Sequence, residues 1–292
     1  MASREIRKAV VPAAGWGTRF LPATKAVPKE MLPLIDKPLI QYIVEEAVAS
    51  GIEHIIVITA SGKGAIENHF DRVAELEDLL EQKGEGELLA RVRRASELAS
   101  ICYIRQRGQH GLGHAVLSAR ELVGDEPFAV FLPDDVFDAP VPVMTQMLEV
   151  YRRYGESVIA VRQVPPEDTT RYGIVRHQEV AERVYRVQDV VEKPGPRDAP
   201  SDLAIMGRYI LTPAVFEALE RTSPGGGGEV QLTDGLRLLL ERQQIYAYRL
   251  EGDYYDGGKP LGLLKAQVAL GLGHPEMGAE FREYLRGVIG RA

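Results

Sequence analysis

The sequence predicts an α/β fold in which a mostly parallel, mixed sheet is flanked by helices. The first half alternates strand-like and helical segments, and its strands are apolar along their whole length. Strands of this kind, alternating with amphipathic helices, are typical of parallel sheets that are covered on both faces. The second half is less regular. We expect some antiparallel strands there, in a smaller mixed lobe attached to the core.

Four short apolar runs in the first half are predicted as strands: residues 8–13, 54–59, 101–105 and 127–133. Helices are expected between them. Residues 38–51 carry apolar side chains at helical spacing and end at Gly51, which is a common stop signal. Residues 64–70 are predicted to start a further helix, and residues 114–124 are predicted as another.

Residues 71–100 interrupt this alternation with a charge-rich stretch that contains a glycine break. We interpret it as two exposed helices inserted between strands, forming a solvated surface or a contact between subunits. The second half is predicted to contain four extended segments and four helices. The extended segments are residues 157–164, 173–177, 183–194 and 243–258, and the helices are residues 213–221, 229–243, 259–273 and 275–290. No linker divides the chain, so a single domain is expected over residues 1–292.

Composition narrows the class of protein. The net charge of −7 and the pI near 5.5 argue against a general nucleic-acid-binding protein. No apolar run reaches the roughly 18 residues that span a bilayer, so no membrane partner is expected. The charged N-terminus lacks the apolar core of a signal peptide, and a cytoplasmic location is expected. The single cysteine, Cys102, excludes an internal disulfide and a thiolate metal cluster, and its apolar neighbours predict a buried, inert thiol.

Residues 13–33 combine glycine, proline and basic side chains directly after the first strand. Arg19 and Lys29 are among basic side chains that repel one another, and the prolines restrict how far the loop can relax. A bound anion explains this arrangement, and a triphosphate suits the guanidinium and ammonium groups. The alternative is a solvated surface loop. Gly15 and Gly17 would let backbone amides approach phosphate, although their spacing matches neither a P-loop nor a dinucleotide fingerprint.

Carboxylates follow strands at the same predicted edge of the sheet, which is where ligands bind in folds of this type. Asp134 and Asp135 come directly after residues 127–133, and Asp256 precedes two glycines. Facing a phosphate site, such carboxylates could hold Mg²⁺, which takes one or two carboxylates together with phosphate oxygens. The alternative is a role in helix capping or in turns.

Three further polar side chains also lie at predicted strand ends. Gln106 follows the third strand and carries both a donor and an acceptor, which suit the edge of a base. Glu192 and Lys193 end a later strand. There the carboxylate could accept from sugar hydroxyls and the ammonium could meet a phosphate, or the pair could simply form an exposed strand edge.

Nine segments, in order along nearly the whole chain, carry a family resemblance. They are “AAGWGTRFLPATKAVPKEMLP”, “IENHFD”, “RQRGQHGLGHAV”, “FLPDD”, “YGIV”, “VVEKP”, “LAIMGRYIL”, “GGGGEVQLTDG” and “YDGGKPLG”. Together they resemble the sugar-nucleotide pyrophosphorylases, and they look closest to the bacterial UTP–glucose-1-phosphate uridylyltransferases. “TKAVPKEMLP” and “EVQLTD” are especially characteristic of the uridylyl branch.

The resemblance implies a Rossmann-like nucleotidyltransferase core and a transferase reaction. UTP and glucose 1-phosphate would give UDP-glucose and pyrophosphate, with Mg²⁺ as cofactor. A nucleotide-binding half is expected at about residues 1–140, and a sugar-binding half with the C-terminal helices at about residues 141–292. The family also implies a homo-oligomer, either a dimer or a tetramer.

The resemblance further assigns residues to each ligand. Expected catalytic residues are Arg19, Lys29 and Lys193. The nucleotide would be held by Ala13, Ala14, Gly15, Gly17, Thr18, Gln106 and Gly111. The sugar phosphate would be held by Tyr172, Gly173, Glu192, Lys193 and Gly207, and the metal by Asp134 and Asp256. No ligand role is assigned to Asp135, and none to residues 108–110, because both are places where relatives vary.

Two other functions stay open from the sequence. One is a thymidylyltransferase on the same scaffold, and the other is a regulatory paralogue that binds a nucleotide sugar without turning it over. A nicotinamide-dependent dehydrogenase is excluded because the fingerprint glycine is missing. The choice between UTP and dTTP, the tolerance of galactose 1-phosphate, the kinetic order and any allosteric effector are not legible in the sequence.

Overall fold

Thirteen strands occur within residues 5–291, which are the residues that the computed structural model describes. In chain order they are β1 (Lys8–Pro12), β2 (Pro33–Leu34), β3 (Lys37–Pro38), β4 (His54–Thr59), β5 (Ser100–Arg105), β6 (Phe128–Phe131), β7 (Asp135–Asp138), β8 (Ser157–Gln163), β9 (Gly173–Ala181), β10 (Val184–Glu192), β11 (Leu203–Leu211), β12 (Ile245–Arg249) and β13 (Asp253–Asp256).

Helices lie between most of these strands in the described part of the chain. They are α1 (Leu39–Ala49), α2 (Gly64–Phe70), α3 (Ala74–Gln82), α4 (Gly86–Ser96), α5 (Leu112–Leu117), α6 (Arg120–Val123), α7 (Val143–Tyr154), α8 (Ala214–Arg221), α9 (Leu232–Leu239), α10 (Pro260–Gly273) and α11 (Gly278–Ile289). None of the helices in residues 5–291 has both the length and the apolar character needed to cross a bilayer.

A nine-stranded sheet forms the centre of the molecule, in the order β5-β4-β1-β6-β11-β8-β12-β10-β9. From β5 to β6 neighbouring strands are parallel, and Val10 of β1 lies beside both Ile56 of β4 and Val130 of β6. β11 runs antiparallel to β6 and β8, whereas β8 and β12 are parallel. β10 is antiparallel to both β12 and β9. The all-parallel region coincides with the wholly apolar strands, as expected for strands covered on both faces.

Apolar layers cover both faces of this sheet. On one face α1 and α7 contribute Ile40 and Met144 to the core, and on the other α5, α8 and α9 contribute Val116, Phe216 and Leu236. All nine residues of β11 are buried, because this strand lies in the middle of the sheet with helices on both sides. The burial of these side chains is the main apolar contribution to stability.

A separate ribbon of two strands begins shortly after β6. β7 and β13 pair antiparallel, and the register places Asp135 directly opposite Asp256. A third apolar cluster, which includes Leu34, Val136 and Leu263, packs between this ribbon and α10. The ribbon therefore brings together two acidic segments that are about 120 positions apart in the sequence.

The predicted fold class is confirmed, since a mixed sheet is flanked by helices. β4 has the predicted limits, α2 begins where a helix was predicted to start, and the inserted stretch contains two helices, α3 and α4. The predicted helix at residues 114–124 divides into α5 and α6, and the extended segment at residues 243–258 divides into β12 and β13. Five elements were not foreseen: the short strands β2, β3 and β7, together with β11 and α7.

The prediction of a buried Cys102 is wrong. Its thiol is exposed, because β5 is the edge strand of the sheet and alternate residues of β5 face outwards. Partial burial nevertheless raises the pKa of the Cys102 thiol, so the group is not an activated thiolate.

Arg208 is a fully buried cation in the middle of β11. Its guanidinium group pairs with Glu46 of α1, with Nη2 2.7 Å from Oε2. It also donates hydrogen bonds to the carbonyl oxygens of Leu132, Gly207 and Asp135. Because a buried charge is tolerated only when it is paired and hydrogen-bonded, Arg208 fixes the backbone at the junction of β6, β7 and β11.

We expect Arg208→Met to lower the free energy of unfolding by about 3–5 kcal/mol, because it leaves the Glu46 carboxylate and three carbonyl groups without their partner. Urea unfolding followed by circular dichroism measures this loss. The matched control is Arg242→Met, which removes an exposed ion pair with Glu217 and should cost less than about 1 kcal/mol. Equal losses in the two variants would contradict the role given to Arg208.

Candidate active site

A cavity of about 260 Å³ lies at the carboxyl ends of β1, β5 and β6. It is lined by residues from the ends of these strands and the loops that follow them, from α5, and from the loop before α9. They are Pro12, Ala14, Gly15, Lys29, Gln106, Gln109, Gly111, Leu112, Ala115, Leu132, Pro133, Asp134 and Glu229. The position at the carboxyl ends of parallel strands is the one at which open α/β sheets bind ligands.

The loop after β1 is built from three short 3-10 helices, Thr18–Phe20, Ala23–Lys25 and Lys29–Met31. Gly17 has a φ of +65°, and a Cβ atom there would lie 2.9 Å from Cβ of Lys29. The hydroxyl of Thr24 donates a hydrogen bond to the Gly17 carbonyl at 2.8 Å. Glycine is therefore required at position 17 for both its conformation and its close contact, and the loop folds back so that Lys29 lies under Gly15 and Gly17.

Lys29 and Asp134 form an ion pair across the cavity, with Nζ 2.6 Å from Oδ2. Burial alone would raise the pKa of Asp134, but the charge of Lys29 outweighs it and holds that pKa below its usual range; Arg19 acts in the same direction. Burial would lower the pKa of Lys29, and Asp134 more than reverses this, so the pKa of Lys29 is raised. Both groups are therefore charged at neutral pH.

A second carboxylate approaches the same place from the ribbon. Asp256 pairs with Lys259 at 2.8 Å, and its Oδ1 accepts from the backbone amide of Gly258. A Cβ atom added at Gly258 would collide with Asp134 and lie 3.2 Å from Oδ1 of Asp256. The two carboxylates thus flank one small space that only a glycine leaves open.

These two carboxylates supply the hard oxygen ligands that suit a divalent cation such as Mg²⁺, which takes its remaining ligands from phosphates and water. Among residues 5–291 there is no cluster of three or more His, Cys, Asp or Glu side chains arranged as a metal site. The donor set therefore fits a cation that arrives together with a phosphorylated ligand better than one that is held by protein alone.

Asp135 is held differently from Asp134. Its Oδ1 accepts from the hydroxyl of Tyr254 at 2.6 Å, and its Oδ2 accepts from the amide of Gly207 at 3.1 Å. Burial, with the adjacent charge of Asp134, raises the pKa of Asp135 to about 7. A Cβ atom at Gly207 would overlap this carboxylate, so glycine is required there. Asp135 is thus a structural hydrogen-bond acceptor, in contrast to Asp134 and Asp256, which are the carboxylates suited to a metal ion.

The predicted sugar-side residues lie beyond Asp135. Gly173 and Glu192 are partners in the β9–β10 register, and the amide of Lys193 donates to the Tyr172 carbonyl at 3.0 Å. Nζ of Lys193 lies 2.6 Å from Glu192. Tyr172 itself is linked to Tyr254 through their side chains, which connects this group to Asp135 and to Gly207.

A second buried ion pair supports the lysine of the loop. Lys63, just before α2, lies 2.8 Å from Glu30, and both side chains are almost completely buried. Burial raises the pKa of Glu30 and lowers that of Lys63, while each partner opposes the effect on the other. Because Glu30 follows Lys29 in the chain, this pair fixes the short helix that carries Lys29.

The structure brings most of the predicted residues together. Ala14, Gly15, Lys29, Gln106, Gly111 and Asp134 line the cavity directly. Ala13 is buried behind it, and Gly17, Thr18 and Arg19 lie on the loop above Lys29.

The sequence reasoning missed five side chains that shape the site: Tyr254, Lys259, Arg208, Lys63 and Gln109. Gln109 lies in the segment given no role, yet its Nε2 donates to the Ala14 carbonyl at 3.0 Å. The two glycines in “YDGG” were a signal in the sequence that other atoms pack closely against the backbone after Asp256. Contacts such as that between Arg208 and Glu46 join distant segments and leave no local pattern.

A larger groove, of about 820 Å³, lies elsewhere, between α1, the inserted helices and the turn from α10 to α11. Its charged groups neutralise one another, since Asp36 pairs with Arg91 and Lys37 with Glu45.

Comparison with known proteins assigns the family. The family model described as nucleotidyl transferase matches residues 8–271. The chain belongs to the nucleotidyl transferase family. Members of this family generally use a divalent metal ion, in agreement with the chemistry of the two carboxylates.

Individual relatives cover almost the whole of this family member. The chain is 52% identical over 288 residues to the UTP–glucose-1-phosphate uridylyltransferase YngB of Bacillus subtilis, covering 99% of this chain and 97% of that protein. It superposes on a UDP-glucose pyrophosphorylase complexed with UDP-glucose with a TM-score of 0.83, at 44% identity, over 91% and 98% of the two chains. The UTP-bound UGPase from Acinetobacter baumannii gives a TM-score of 0.90, at 42% identity, over 96% and 99%. The sequence-based assignment to the sugar-nucleotide pyrophosphorylases is confirmed.

We expect the raised pKa of Asp135 to appear in stability measurements made in EDTA. The folded state binds a proton at Asp135 up to about pH 7, whereas the unfolded chain releases it near pH 4. The wild-type free energy of unfolding should therefore fall relative to that of Asp135→Asn between about pH 4 and pH 7, by at most about 1.4 kcal/mol per pH unit. Above pH 7 the two curves should run parallel.

Urea unfolding at several pH values measures these curves. Asp138→Asn, which removes an exposed carboxylate from the same strand, controls for the loss of one negative charge. A constant difference between wild type and Asp135→Asn from pH 4 to pH 8 would rule out the raised pKa.

Proposed function

We propose that this protein transfers the uridylyl group of UTP to glucose 1-phosphate, giving UDP-glucose and pyrophosphate. The observation that supports this most directly is that Lys29, from the cation-rich loop after β1, pairs with Asp134 in the cavity, and that Asp256 lies next to Asp134 across Gly258. Relatives at about half identity over nearly their full length carry the same activity in their names. The thymidylyltransferase likeness, at 22% identity, concerns the fold alone.

The nucleotide would occupy the 260 Å³ cavity. Gln106, Ala13, Ala14, Gly15 and Gly111 would contact the uracil and ribose. Gly17, Thr18, Arg19 and Lys29 would hold the triphosphate, because backbone amides and fixed cations are the groups that bind phosphate most strongly. A Cβ atom at Gly111 would collide with the Val230 backbone, so the wall against the nucleoside is closely packed there.

Glucose 1-phosphate would bind beside Gly207, between Tyr172, Gly173 and Glu192. Glu192 would accept hydrogen bonds from sugar hydroxyls. Lys193 pairs with Glu192 and is the more exposed of the two side chains. When glucose 1-phosphate binds, Lys193 would leave this carboxylate and pair with the sugar phosphate. Positioning of the acceptor phosphate near the α-phosphorus is the main contribution expected of this lobe.

Mg²⁺ would be held by Asp134 and Asp256, and when bound it would neutralise phosphate charge at the reacting centre. The side chains of Lys29 and Lys259 now neutralise these two carboxylates. In the complex they would be released to contact phosphate oxygens or solvent.

The transfer itself needs no protein nucleophile. The phosphate oxygen of glucose 1-phosphate is already anionic at neutral pH, so it can attack the α-phosphorus in line without a general base. Repulsion between two polyanions is the obstacle. Arg19 and Lys29 would stabilise the departing pyrophosphate, and Lys193 would stabilise the incoming phosphate, so the chain acts by charge neutralisation and orientation.

Three broader features stay predictions. We propose that residues 1–140 form the nucleotide-binding half and residues 141–292 the sugar-binding half of one domain. We also propose that the protein acts in the cytoplasm and assembles as a dimer or tetramer. Gel filtration with light scattering tests the assembly.

The proposed reaction is tested by pyrophosphate release with UTP or dTTP, each combined with glucose 1-phosphate or galactose 1-phosphate. We expect the highest kcat/KM for UTP with glucose 1-phosphate, and no activity in excess EDTA. A preference for dTTP would instead identify a thymidylyltransferase, and no release with any pair would favour the non-catalytic paralogue.

We expect Lys29→Ala and Asp134→Asn each to lower kcat by about 100-fold or more, because each removes a charge that faces the reacting phosphates. Pyrophosphate release at saturating Mg²⁺ measures the effect, and circular dichroism reports whether the fold is kept. Lys83→Ala, which changes an exposed residue after α3, should keep wild-type turnover. Near-normal turnover in either test variant would refute its role.

A further inference from the structure

We propose that His114 is a positioning residue that sets the orientation of the Gln106 amide and thereby selects uracil over cytosine. The inference rests on the proposed function, because it assumes that a pyrimidine nucleotide occupies the cavity. His114 lies in the first turn of α5 and is not part of the cavity lining. It acts through Gln106, which does line the cavity.

The amide of Gln106 is held by two neighbours. Gln106 is only 7% exposed, and its amide nitrogen lies 3.4 Å from the Gly111 carbonyl and 2.9 Å from Nδ1 of His114. A carbonyl oxygen can only accept, so the amide must turn its NH₂ group to Gly111. His114 Nδ1 then has to accept the second amide hydrogen, which requires a neutral ring with its proton on Nε2.

The ring of His114 is kept in this state by its surroundings. Burial, with a smaller contribution from His110, lowers the pKa of His114. The ring of His110 packs edge-on against it at 4.9 Å. The backbone carbonyl of His114 accepts from the Ser118 hydroxyl at 2.8 Å, which braces the same turn of α5.

With its NH₂ group engaged, Gln106 presents its oxygen to the ligand. No residue among 5–291 donates a hydrogen bond to Oε1 of Gln106. Two buried side-chain atoms of the described residues lack a partner, Thr59 Oγ1 and His177 Nδ1. Gln106 Oε1 is not one of them, so this oxygen is accessible to solvent, and since Gln106 lines the cavity we infer that the oxygen faces it.

An acceptor at this place discriminates between pyrimidines. The pairing edge of uracil has one donor, N3–H, between two carbonyl groups, so Oε1 can pair with uracil only at N3–H. Cytosine carries a lone pair at N3, and the same contact would set two acceptors against each other. A mispaired buried acceptor costs the desolvation of that group. If the Gln106 amide rotated by 180°, it would present its NH₂ group to the base. That group would pair with the N3 lone pair of cytosine and not with N3–H of uracil.

The test compares His114→Leu with His114→Asn. Leucine removes the acceptor and keeps a side chain of similar bulk, so the Gln106 amide is no longer held in one orientation. Asparagine places an amide oxygen where Nδ1 stands and restores the acceptor. His110→Leu removes the neighbouring ring but leaves the acceptor, and serves as the packing control. Thermal unfolding and circular dichroism check all three variants, and His114→Ala replaces His114→Leu if the latter does not fold.

Initial rates with UTP and CTP, each with saturating glucose 1-phosphate, give the UTP/CTP ratio of kcat/KM. We expect His114→Leu to reduce this ratio about tenfold or more, mainly through a higher KM for UTP. His114→Asn and His110→Leu should keep a ratio close to the wild-type value. If His114 had a purely structural role, His114→Leu would lower kcat/KM for UTP and for CTP by the same factor. An unchanged UTP/CTP ratio in His114→Leu would overturn the inference.

Calorimetric titration of wild type and His114→Leu with UTP and CTP, without sugar phosphate, separates this inference from the proposed reaction. If the wild type binds UTP more tightly than CTP but produces no UDP-glucose, the proposed reaction fails and the selectivity test still stands. If His114→Leu retains the wild-type difference in Kd, the inference fails even though the enzyme is active. A changed UTP/dTTP ratio with an unchanged UTP/CTP ratio would place Oε1 against the ribose instead, and would also overturn it.

Discussion

The ion pair between Lys29 and Asp134 is the constraint on which the site depends. It joins the loop after β1 to the segment after β6 at 2.6 Å, and it keeps a half-buried cation and a half-buried anion in their charged forms. Each charge compensates the desolvation of the other. A triphosphate and a divalent cation together would supply the same compensation, so binding can exchange one balanced arrangement for another without leaving a buried charge alone.

Two other ion pairs, which are more deeply buried, lie behind this one. Glu30 with Lys63 holds the short helix that carries Lys29, and Arg208 with Glu46 holds the carbonyl groups around Asp135. Neither pair lines the cavity. They fix backbone segments on opposite sides of it, which is what a mechanism based on orientation and charge neutralisation demands, since an error of about 1 Å in position is costly. The same logic extends to His114, which orients a ligand-facing amide from outside the cavity.

The sequence allowed the fold class, most strands and much of the cavity lining to be predicted, because these follow from continuous apolar runs and from glycines and charges at strand ends. It did not allow β11 to be recognised, since Gly207 and Arg208 interrupt the apolar run of residues 203–211. Tyr254 and Arg208 were missed because their partners, Asp135 and Glu46, are over 100 positions away. The exposure of Cys102 depends on β5 being an edge strand, which is a property of strand order and not of local composition. The residue roles drawn from the family resemblance remain proposals.

The place of β11 in the sheet has a consequence for biosynthesis. β6 and β8 leave the ribosome well before residues 203–211, yet β11 is the strand that lies between them. Until it emerges, both of these apolar strands have an open edge that offers unpaired backbone groups to other chains. A chain that ends before residue 203 would therefore expose the edges of two apolar strands, which favours aggregation.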